Sequence, residues 1–175
     1  EITLSAYKKE SLQGDSVLSK IYTSFGVETT YGENIITLKK TAKKVSAENE
    51  FDLANAPDIA QTIAVTCFGL GVGCHLTGLH TLKIKETDRL VALDTELSKL
   101  GATVSVTDKT LTLSTSIGIV TDIAIDTYND HRMAMAFAPL AMRTTLYVND
   151  AEVVSKSYPD FWNDLKQLHF TIREL

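Results

Sequence analysis

The side chains best suited to chemistry lie in two charged segments, KETDRL at residues 85–90 and YNDHRM at residues 128–133. Each segment stands immediately before a long apolar run, where a helix should begin. Arg89 and Arg132 would then lie in the first helical turn, beside backbone N–H groups that lack helical partners and near the positive end of the helix dipole. This arrangement favours the binding of an anion.

Lys85, Glu86 and His131 accompany the two arginines, so the segments together indicate a site for a small, multiply charged substrate. A lone Arg89–Glu86 pair would be interpreted as an exposed ion pair of little energetic value. That interpretation does not account for the parallel Arg132. For His131 alone a hydrogen-bonded structural role is the more common one, so a direct chemical role stays open.

Composition sets the limits on function. The chain has 175 residues, enough for one domain or a large part of one, and its charged and hydrophobic fractions are ordinary for a soluble globular protein. Its formal net charge of −5 argues against nucleic-acid or anionic-membrane binding, and no apolar run is long enough to span a membrane. Cys67 and Cys74 lack metal-site spacing and are interpreted as buried thiols of a cytoplasmic protein.

An internal repeat is visible along the chain. Residues 14–25 and 88–100 each form an amphipathic helical pattern that ends at a glycine, and two strand-like segments around a turn follow each pattern. An extended segment then leads to a nearly all-apolar helix, residues 58–70 in one copy and 130–142 in the other. Both of these helices should be buried. The copies align with an offset of roughly 72–75 residues.

A third copy is predicted to begin near Lys156, with a helix whose Phe161, Leu165 and Leu168 face inward. The repeat units are therefore placed at about residues 1–80, 81–150 and 151–175. The chain opens directly into strand-like residues 2–4, as if it had been taken from within a larger domain. We therefore expect the site to be incomplete.

An aspartate stands at the start of four predicted helices: Asp58, Asp88, Asp130 and Asp160. Aspartate is a preferred N-cap and complements the helix dipole, so a cap is the better interpretation of each from the residues alone. Four side chains of the last apolar helix are interpreted as core packing: Met133, Met135, Phe137 and Met142. GLGVG at residues 69–73 follows a helix and precedes a strand, which is the reverse of a dinucleotide-binding loop and predicts a helix end.

Four landmarks resemble, in the same order, those of the 5-enolpyruvylshikimate-3-phosphate synthase family. They are NAPD at 55–58, KETDRL at 85–90, YNDHRMAM at 128–135 and KSYPDF at 156–161. The resemblance covers essentially the whole chain. It implies an α/β fold of repeated βαβαββ units in an inside-out barrel, with buried parallel helices and sheets outside. It also implies that residues 1–175 form most of the C-terminal domain of a two-domain enolpyruvyl transferase, with the N-terminal domain as partner.

The family's reaction transfers the enolpyruvyl group of phosphoenolpyruvate to the 5-hydroxyl of shikimate 3-phosphate and releases phosphate. This chemistry requires cations for a phosphate and a carboxylate, a base for the attacking hydroxyl and an acid for the methylene carbon. The resemblance implies no metal or organic cofactor and a monomeric full-length protein. By their positions in the motifs, Arg89, Arg132 and Lys156 would bind phosphoenolpyruvate, for which guanidinium groups are well shaped.

The same resemblance assigns the remaining site residues. Asp58 would contact shikimate 3-phosphate and accept the hydroxyl proton, and Glu86 would exchange a proton with the enolpyruvyl methylene. Lys85 would contact shikimate 3-phosphate, and His131 would line the pocket. Thr81 stands where the family commonly has an asparagine that contacts the shikimate ring, so this contact would be altered here.

Two other functions are weighed against this one. A UDP-N-acetylglucosamine enolpyruvyl transferase shares the fold, but the sequence does not indicate a uridine nucleotide site, and the His131–Arg132 signature belongs with the shikimate enzyme. The other alternative is a non-catalytic ligand-binding or structural domain. Because the resemblance places half of the cations in the N-terminal domain, the isolated chain is predicted to fold without catalysing the reaction.

Overall fold

The computed structural model describes residues 1–85 and 87–174. The strands are β1 (Ile2–Ser5), β2 (Val27–Tyr31), β3 (Ile35–Lys40), β4 (Glu48–Asp52), β5 (Gly73–Thr77), β6 (Val104–Val106), β7 (Leu111–Leu113), β8 (Ile123–Ile125) and β9 (Leu146–Val148). The α-helices are α1 (Leu18–Ser24), α2 (Ala60–Leu70), α3 (Arg89–Lys99), α4 (His131–Phe137) and α5 (Phe161–Gln167). Short 3-10 helices lie at Gly14–Val17, Pro57–Ile59, Leu82–Ile84, Ala138–Met142 and Ala151–Lys156. Within these described ranges, no helix has the length and hydropathy that a membrane crossing needs.

The sheet topology makes the internal repeat visible. Among the described residues the strands form three sheets, with the orders β1-β3-β2, β4-β5-β7-β6 and β8-β9. In the middle sheet β4 and β5 are parallel, whereas β7 is antiparallel to both β5 and β6. The first sheet repeats the antiparallel part, and the third repeats the parallel pair. The elements from β4 to β7 therefore follow βαβαββ order, and the α/β class predicted from the sequence is confirmed.

Helix α2 lies in the core because it is apolar on nearly every side. Ile63, Ala64 and Phe68 are at most 1% exposed, and the helix packs against α3, α4, β5 and β7. Each large apolar side chain buried in this way stabilises the fold by about 1.5–3 kcal/mol. The buried position predicted for this helix is confirmed. It ends at Gly71, whose φ of +74° suits a left-handed C-cap, as the GLGVG pattern predicts.

The second predicted apolar helix is divided into two parts. Helix α4 ends at Phe137, and residues Ala138–Met142 continue as a 3-10 helix. Pro139 explains the break, because proline has no N–H to donate and its ring crowds the preceding helical turn. Met133 and Phe137 are buried as predicted, but Met142 beyond the break is 76% exposed. The assignment of Met142 to the core is therefore wrong.

Helix α5 packs on a second, smaller apolar cluster. Phe161 and Leu165 are buried there beside Val154, and Met135 of α4 packs against them. Leu168, which was also expected to face inward, is 46% exposed. The helix ends one residue before it, so Leu168 does not continue the buried helical face and its predicted orientation is wrong.

The two cysteines are buried free thiols, as predicted. Cys67 lies in the last turn of α2, and Cys74 lies in the adjacent strand β5. A hydrogen bond between the two thiols, followed by burial, raises the pKa of Cys67 above its ordinary value, so the thiol stays protonated. Both side chains therefore act as small apolar groups in the core.

Candidate active site

The two charged segments lie at helix N-termini, as their sequences predict. At the start of α3, the Asp88 carboxylate accepts hydrogen bonds from the backbone N–H groups of Leu90 at 3.1 Å and Val91 at 3.2 Å. At the start of α4, Asp130 accepts one from the N–H of Arg132 at 2.9 Å. Both aspartates are therefore side-chain caps, which satisfy N–H groups that the helix itself cannot pair.

The other two aspartates at helix starts do not act as caps. Within the described residues, neither the Asp58 nor the Asp160 carboxylate accepts a hydrogen bond from a backbone N–H at its helix start. The cap interpretation is wrong for Asp160. The Asp58 carboxylate contacts cations instead of backbone N–H groups, and its role as a site residue stays a prediction from the family resemblance.

Three of the predicted cations converge on the Asp58 carboxylate. Arg89 donates from Nη1 to Oδ1 at 2.9 Å. Lys85 Nζ lies 3.1 Å from Oδ1 and 3.3 Å from Oδ2. Arg132 is farther away, with Nη2 3.9 Å from Oδ2, while its Nη1 donates to the Asp58 carbonyl oxygen at 3.3 Å. The fold thus gathers cations from both charged segments around one carboxylate.

Gly78, just beyond β5, allows the segment that leads to Asp58 to lie close to the sheet. Its φ of +77° is in the left-handed region, and a Cβ atom at this position would lie only 2.3 Å from the backbone nitrogen of Ala54. The neighbouring N–H of Leu53 donates to the carbonyl oxygen of Thr77 at 3.0 Å. A glycine is needed here because both the backbone angle and the close contact exclude a larger side chain.

Arg89 is almost completely buried and is balanced by carboxylates from two other elements. It is 1% exposed, and its second partner, Asp130, is 0% exposed. Arg89 Nε donates to Asp130 Oδ2 at 2.6 Å, in addition to the Asp58 contact. Arg89 is therefore not the exposed member of an ion pair, and the alternative of an Arg89–Glu86 pair falls on Glu86, which lies outside the described residues. Asp130 both caps α4 and pairs with Arg89, and only the first role was predicted.

Lys156 reaches the same region from the end of the 3-10 helix Ala151–Lys156. Its Nζ lies 2.7 Å from Oδ1 and 3.1 Å from the carbonyl oxygen of Asn129, in the turn that precedes α4. A groove of about 720 Å³ opens beside this turn, and Asp58, His131 and Arg132 lie along its wall. Four site residues inferred from the sequence thus meet near the N-terminal ends of α2 and α4: Asp58, His131, Arg132 and Lys156.

The charge environment of Asp58 favours its ionised form. Partial burial by itself raises the pKa of Asp58, but the hydrogen bond from Lys85 and the positive charges of Arg132, Lys85 and Arg89 outweigh burial. The pKa therefore lies below its ordinary value. A carboxylate held in this way becomes a better base when an anionic ligand draws the same cations toward itself.

Thr81 contributes least to the site in this conformation. It stands directly before the 3-10 helix Leu82–Ile84, and its hydroxyl oxygen is buried without a hydrogen-bond partner among residues 1–85 and 87–174. Contact between this hydroxyl and a ligand requires movement of the side chain. The role assigned to Thr81 stays a prediction.

A buried network behind the second charged segment was not predicted from the sequence. Glu96 of α3, at 0% exposure, accepts from the Tyr128 hydroxyl at 2.6 Å and from Lys99 Nζ at 2.9 Å on each oxygen. It also accepts from the N–H of Asp126 at 3.1 Å. Burial, and then the bond to Glu96, raise the pKa of Tyr128 to about 12. The sequence does contain one indication of this network. Glu96 is three residues after Leu93, on the apolar face of the helix, where a carboxylate must have hydrogen-bond partners.

The sequence matches known proteins along nearly its whole length. A family model described as EPSP synthase (3-phosphoshikimate 1-carboxyvinyltransferase) matches residues 1–165. The 3-phosphoshikimate 1-carboxyvinyltransferase of Bacteroides fragilis strain YCH46 is 45% identical over 177 aligned residues, which cover 98% of this chain and 42% of that protein. The protein of the same name from Photobacterium damsela subsp. piscicida is 36% identical, and the alignment covers 96% of this chain and 39% of that protein. The chain thus spans about two fifths of these relatives.

Two solved structures share the fold. EPSP synthase from Acinetobacter baumannii has a TM-score of 0.77 at 19% identity, with 94% of this chain and 41% of that chain covered. The enolpyruvyl transferase NikO from Streptomyces tendae has a TM-score of 0.64 at 17% identity, with 88% and 35% covered. These two structural similarities show a shared fold, whereas family membership rests on the matching family model and the 45% identical relative. The chain belongs to the EPSP synthase (3-phosphoshikimate 1-carboxyvinyltransferase) family.

Proposed function

We propose that this chain is most of the C-terminal domain of a two-domain 3-phosphoshikimate 1-carboxyvinyltransferase. The complete enzyme would transfer the enolpyruvyl group of phosphoenolpyruvate to the 5-hydroxyl of shikimate 3-phosphate and release phosphate. The 45% identity to the Bacteroides fragilis relative, and the 42% share of that protein's length, support both parts of the proposal. The repeat units would lie at about residues 1–80, 81–150 and 151–175.

The observation that carries the proposal is the convergence of cations on Asp58. Arg89, Lys85 and Arg132 all lie within 4 Å of its carboxylate, and Lys156 lies against the turn that precedes Arg132. Arg89 is already paired with Asp58 and Asp130, but Arg132 Nη2 lies 3.9 Å from Asp58 Oδ2 and Lys156 contacts neutral oxygens of Asn129. An anion carrying both phosphate and carboxylate groups, such as phosphoenolpyruvate, would give these two cations charged partners.

Each residue is given a role in this reaction. Arg132 and Lys156 would bind the phosphate and carboxylate of phosphoenolpyruvate, and Arg89 would share its buried guanidinium between the substrate and its carboxylate partners. Asp58 would accept the proton of the 5-hydroxyl as that oxygen attacks C2 of the enolpyruvyl group. Glu86 would deliver a proton to the methylene carbon, which becomes a methyl group in the tetrahedral intermediate, and would remove one when phosphate leaves.

The remaining assignments concern the second substrate and the setting of the enzyme. Lys85, next to Asp58, would contact shikimate 3-phosphate, with His131 along the pocket wall and Thr81 in an altered ring contact. The N-terminal domain of the same protein would close the other side of the cleft. We further propose a monomeric, cytoplasmic protein without nucleic-acid or membrane partners, in keeping with the net charge of −5.

The proposal is tested by comparing the 175-residue chain with the full-length two-domain protein that contains it. With both substrates present, the isolated chain is expected to release no phosphate, because half of the charge stabilisation would be missing. The full-length protein should release phosphate and form enolpyruvylshikimate 3-phosphate. If the isolated chain releases phosphate and Asp58→Asn abolishes that release, the N-terminal domain is not needed for catalysis and this part of the proposal is contradicted.

The acceptor substrate separates the competing functions. The full-length protein should use shikimate 3-phosphate as acceptor and show no turnover with UDP-N-acetylglucosamine. Turnover with the nucleotide sugar would favour the sister transferase instead. If neither acceptor supported phosphate release, the role of a non-catalytic domain would be preferred.

Replacement of Arg132 by alanine tests the phosphoenolpyruvate site. In the full-length enzyme, Arg132→Ala should raise the KM for phosphoenolpyruvate at least tenfold, because loss of a charged hydrogen bond costs about 1.5–3 kcal/mol. Steady-state kinetics with shikimate 3-phosphate held at saturation would measure this change. The Arg132 side chain is 37% exposed, so the substitution should have little effect on folding.

A matched control uses a second arginine of the same groove. Arg143 also lines the groove and directly follows the 3-10 helix Ala138–Met142. Arg143→Ala removes the same charge from the same groove, but among the described residues Arg143 makes no ion pair with Asp58, so the substitution should change the KM less than twofold. Equal effects of the two substitutions would show that Arg132 acts only through the general positive potential of the groove.

A further inference from the structure

We propose that Glu96 and Tyr128 are positioning residues for the phosphoenolpyruvate cations: the buried Glu96 carboxylate holds the Tyr128 hydroxyl and thereby fixes the turn that orders Arg89, Arg132 and Lys156. This inference rests on the proposed function, which assigns no role to either residue. It concerns how the site is held in shape before substrate arrives.

The turn has an uncommon backbone that needs support. Tyr128 and Asn129 have φ values of +54° and +58°, two successive residues in the left-handed region. Residues with a Cβ rarely adopt this conformation, and a bulky aromatic residue does so least readily. Such a conformation persists where the surrounding contacts determine it. The Tyr128 hydroxyl, bound to Glu96 at 2.6 Å, supplies one of these contacts.

Every predicted phosphoenolpyruvate cation depends on this turn. Lys156 is held by both the side chain and the carbonyl oxygen of Asn129. Asp130, the next residue, accepts from Arg89 Nε and from the backbone N–H of Arg132. A shift in the turn would therefore displace the contacts of all three cations together.

Helix α3 ties the turn at two points. Arg89 and Glu96 are seven residues apart, two turns along the same helix face, and they bind Asp130 and Tyr128 respectively. Glu96 also accepts from the N–H of Asp126, at the start of the same loop. Since Arg89 and Glu96 are both buried, at 1% and 0% exposure, the helix and the turn are held as one unit.

The remaining partners of Glu96 neutralise its charge and hold the entrance of the loop. Lys99 Nζ, which donates to the Glu96 carboxylate, also donates to Asp126 Oδ2 at 2.7 Å and so bridges the two carboxylates. Asn149, which directly follows β9, donates from Nδ2 to Asp126 Oδ1 at 2.7 Å. The loop is thus fixed to α3 and to the parallel pair β8–β9, and Tyr128 adds a connection to Glu96 at the two residues with positive φ.

The test compares Tyr128→Phe and Glu96→Gln with the matched control Tyr147→Phe in the full-length enzyme. Tyr147, in β9, is 40% exposed, and its hydroxyl makes no hydrogen bond to another described residue. Tyr128→Phe should raise the KM for phosphoenolpyruvate at least fivefold and leave that for shikimate 3-phosphate within twofold. Hydrogen-exchange mass spectrometry should show at least tenfold faster exchange in residues 127–133. Tyr147→Phe should change neither quantity.

Several results would overturn the inference. One is a phosphoenolpyruvate KM in Tyr128→Phe equal to that in Tyr147→Phe; another is an equal rise in both KM values with a lowered Tm, which indicates general loosening. If Glu96→Gln fails to fold, the result for Tyr128→Phe alone decides whether the inference holds.

If the wild-type protein shows no turnover, the proposed function fails separately. Binding of inorganic phosphate then replaces the KM, and equally tight binding by wild type and Tyr128→Phe overturns the inference.

Discussion

An Asp58→Asn enzyme is expected to lose about 10²–10⁴-fold in kcat while its KM for phosphoenolpyruvate stays within a few-fold of the wild-type value. Asparagine preserves the size of the side chain and one oxygen for Lys85 or Arg89, but it cannot accept the proton of the attacking hydroxyl. Steady-state phosphate release from the full-length enzyme measures both parameters. The expected loss falls on kcat because the missing proton transfer belongs to the chemical step.

Asp88 provides the matched control for this substitution. It is a neighbouring aspartate at a helix start, but its carboxylate caps α3. Asn is as good a cap as Asp, so Asp88→Asn should keep kcat within twofold of the wild-type value. A kcat for Asp58→Asn within threefold of wild type would contradict the role of Asp58 as proton acceptor.

Stability should respond to pH through the same carboxylate. Because the folded-state pKa of Asp58 is lowered, its ion pairs stabilise the fold above the unfolded-state pKa of about 3.9, and this contribution disappears as the pH falls through the folded-state value. Acidification below about pH 4 should therefore cost wild type more stability than Asp58→Asn. Urea unfolding of both proteins at pH 7 and pH 3 measures this difference. The effect should be modest, since the carboxylate is 36% exposed and screened by solvent.

Asp130→Ala is expected to destabilise the chain more than any other change at this site, by about 3 kcal/mol. The substitution leaves Arg89, at 1% exposure, without the buried carboxylate to which its Nε donates, and it removes the cap of α4. Removal of one partner from a buried ion pair is costly because the remaining charge has lost its solvation and its counter-charge. Asp58 still pairs with Arg89, which places the expected loss at the lower end of the usual range for buried pairs. Urea unfolding of the 175-residue chain, monitored by circular dichroism, measures it.

Two variants separate the roles of Asp130. Asp130→Asn keeps one oxygen acceptor but no charge, so its loss of stability should be intermediate. Asp88→Ala removes a comparable side-chain cap at the start of α3 and should cost only about 1 kcal/mol. If Asp130→Ala were no more damaging than Asp88→Ala, the buried pair with Arg89 would contribute little beyond capping.

Local features of the sequence were sufficient for α3 and for two of the caps. The apolar spacing around Leu93 and Leu97 located α3 within a residue at each end, and Asp88 and Asp130 cap their helices as predicted. These features depend on residues three or four positions apart, so they can be recognised without knowledge of the rest of the fold. Pro139 also lies in the sequence, yet the prediction of one continuous helix over residues 130–142 overlooked its effect.

The arrangement of the site could not be obtained in this way. Asp58 meets Arg89 across 31 residues, and Asp130 meets Arg89 across 41. The sequence identified these residues as charged groups at helix starts, but nothing in their spacing indicated that Arg89 would be buried between two carboxylates. Nor did it indicate that Glu96 would hold Tyr128. Contacts of this kind depend on how α2, α3 and α4 pack together.

The sequence by itself determined the family, the α/β class, the internal repeat and the positions of the charged helix starts, because all of these are recorded in local patterns and their order. The tertiary structure decided which charges meet. It placed Asp58 among three cations, made Asp130 both a cap and a buried counter-ion, and set Lys156 against the turn before α4. The physical reason is that a charge is stabilised by whatever surrounds it in space, and packing over long sequence separations selects those neighbours.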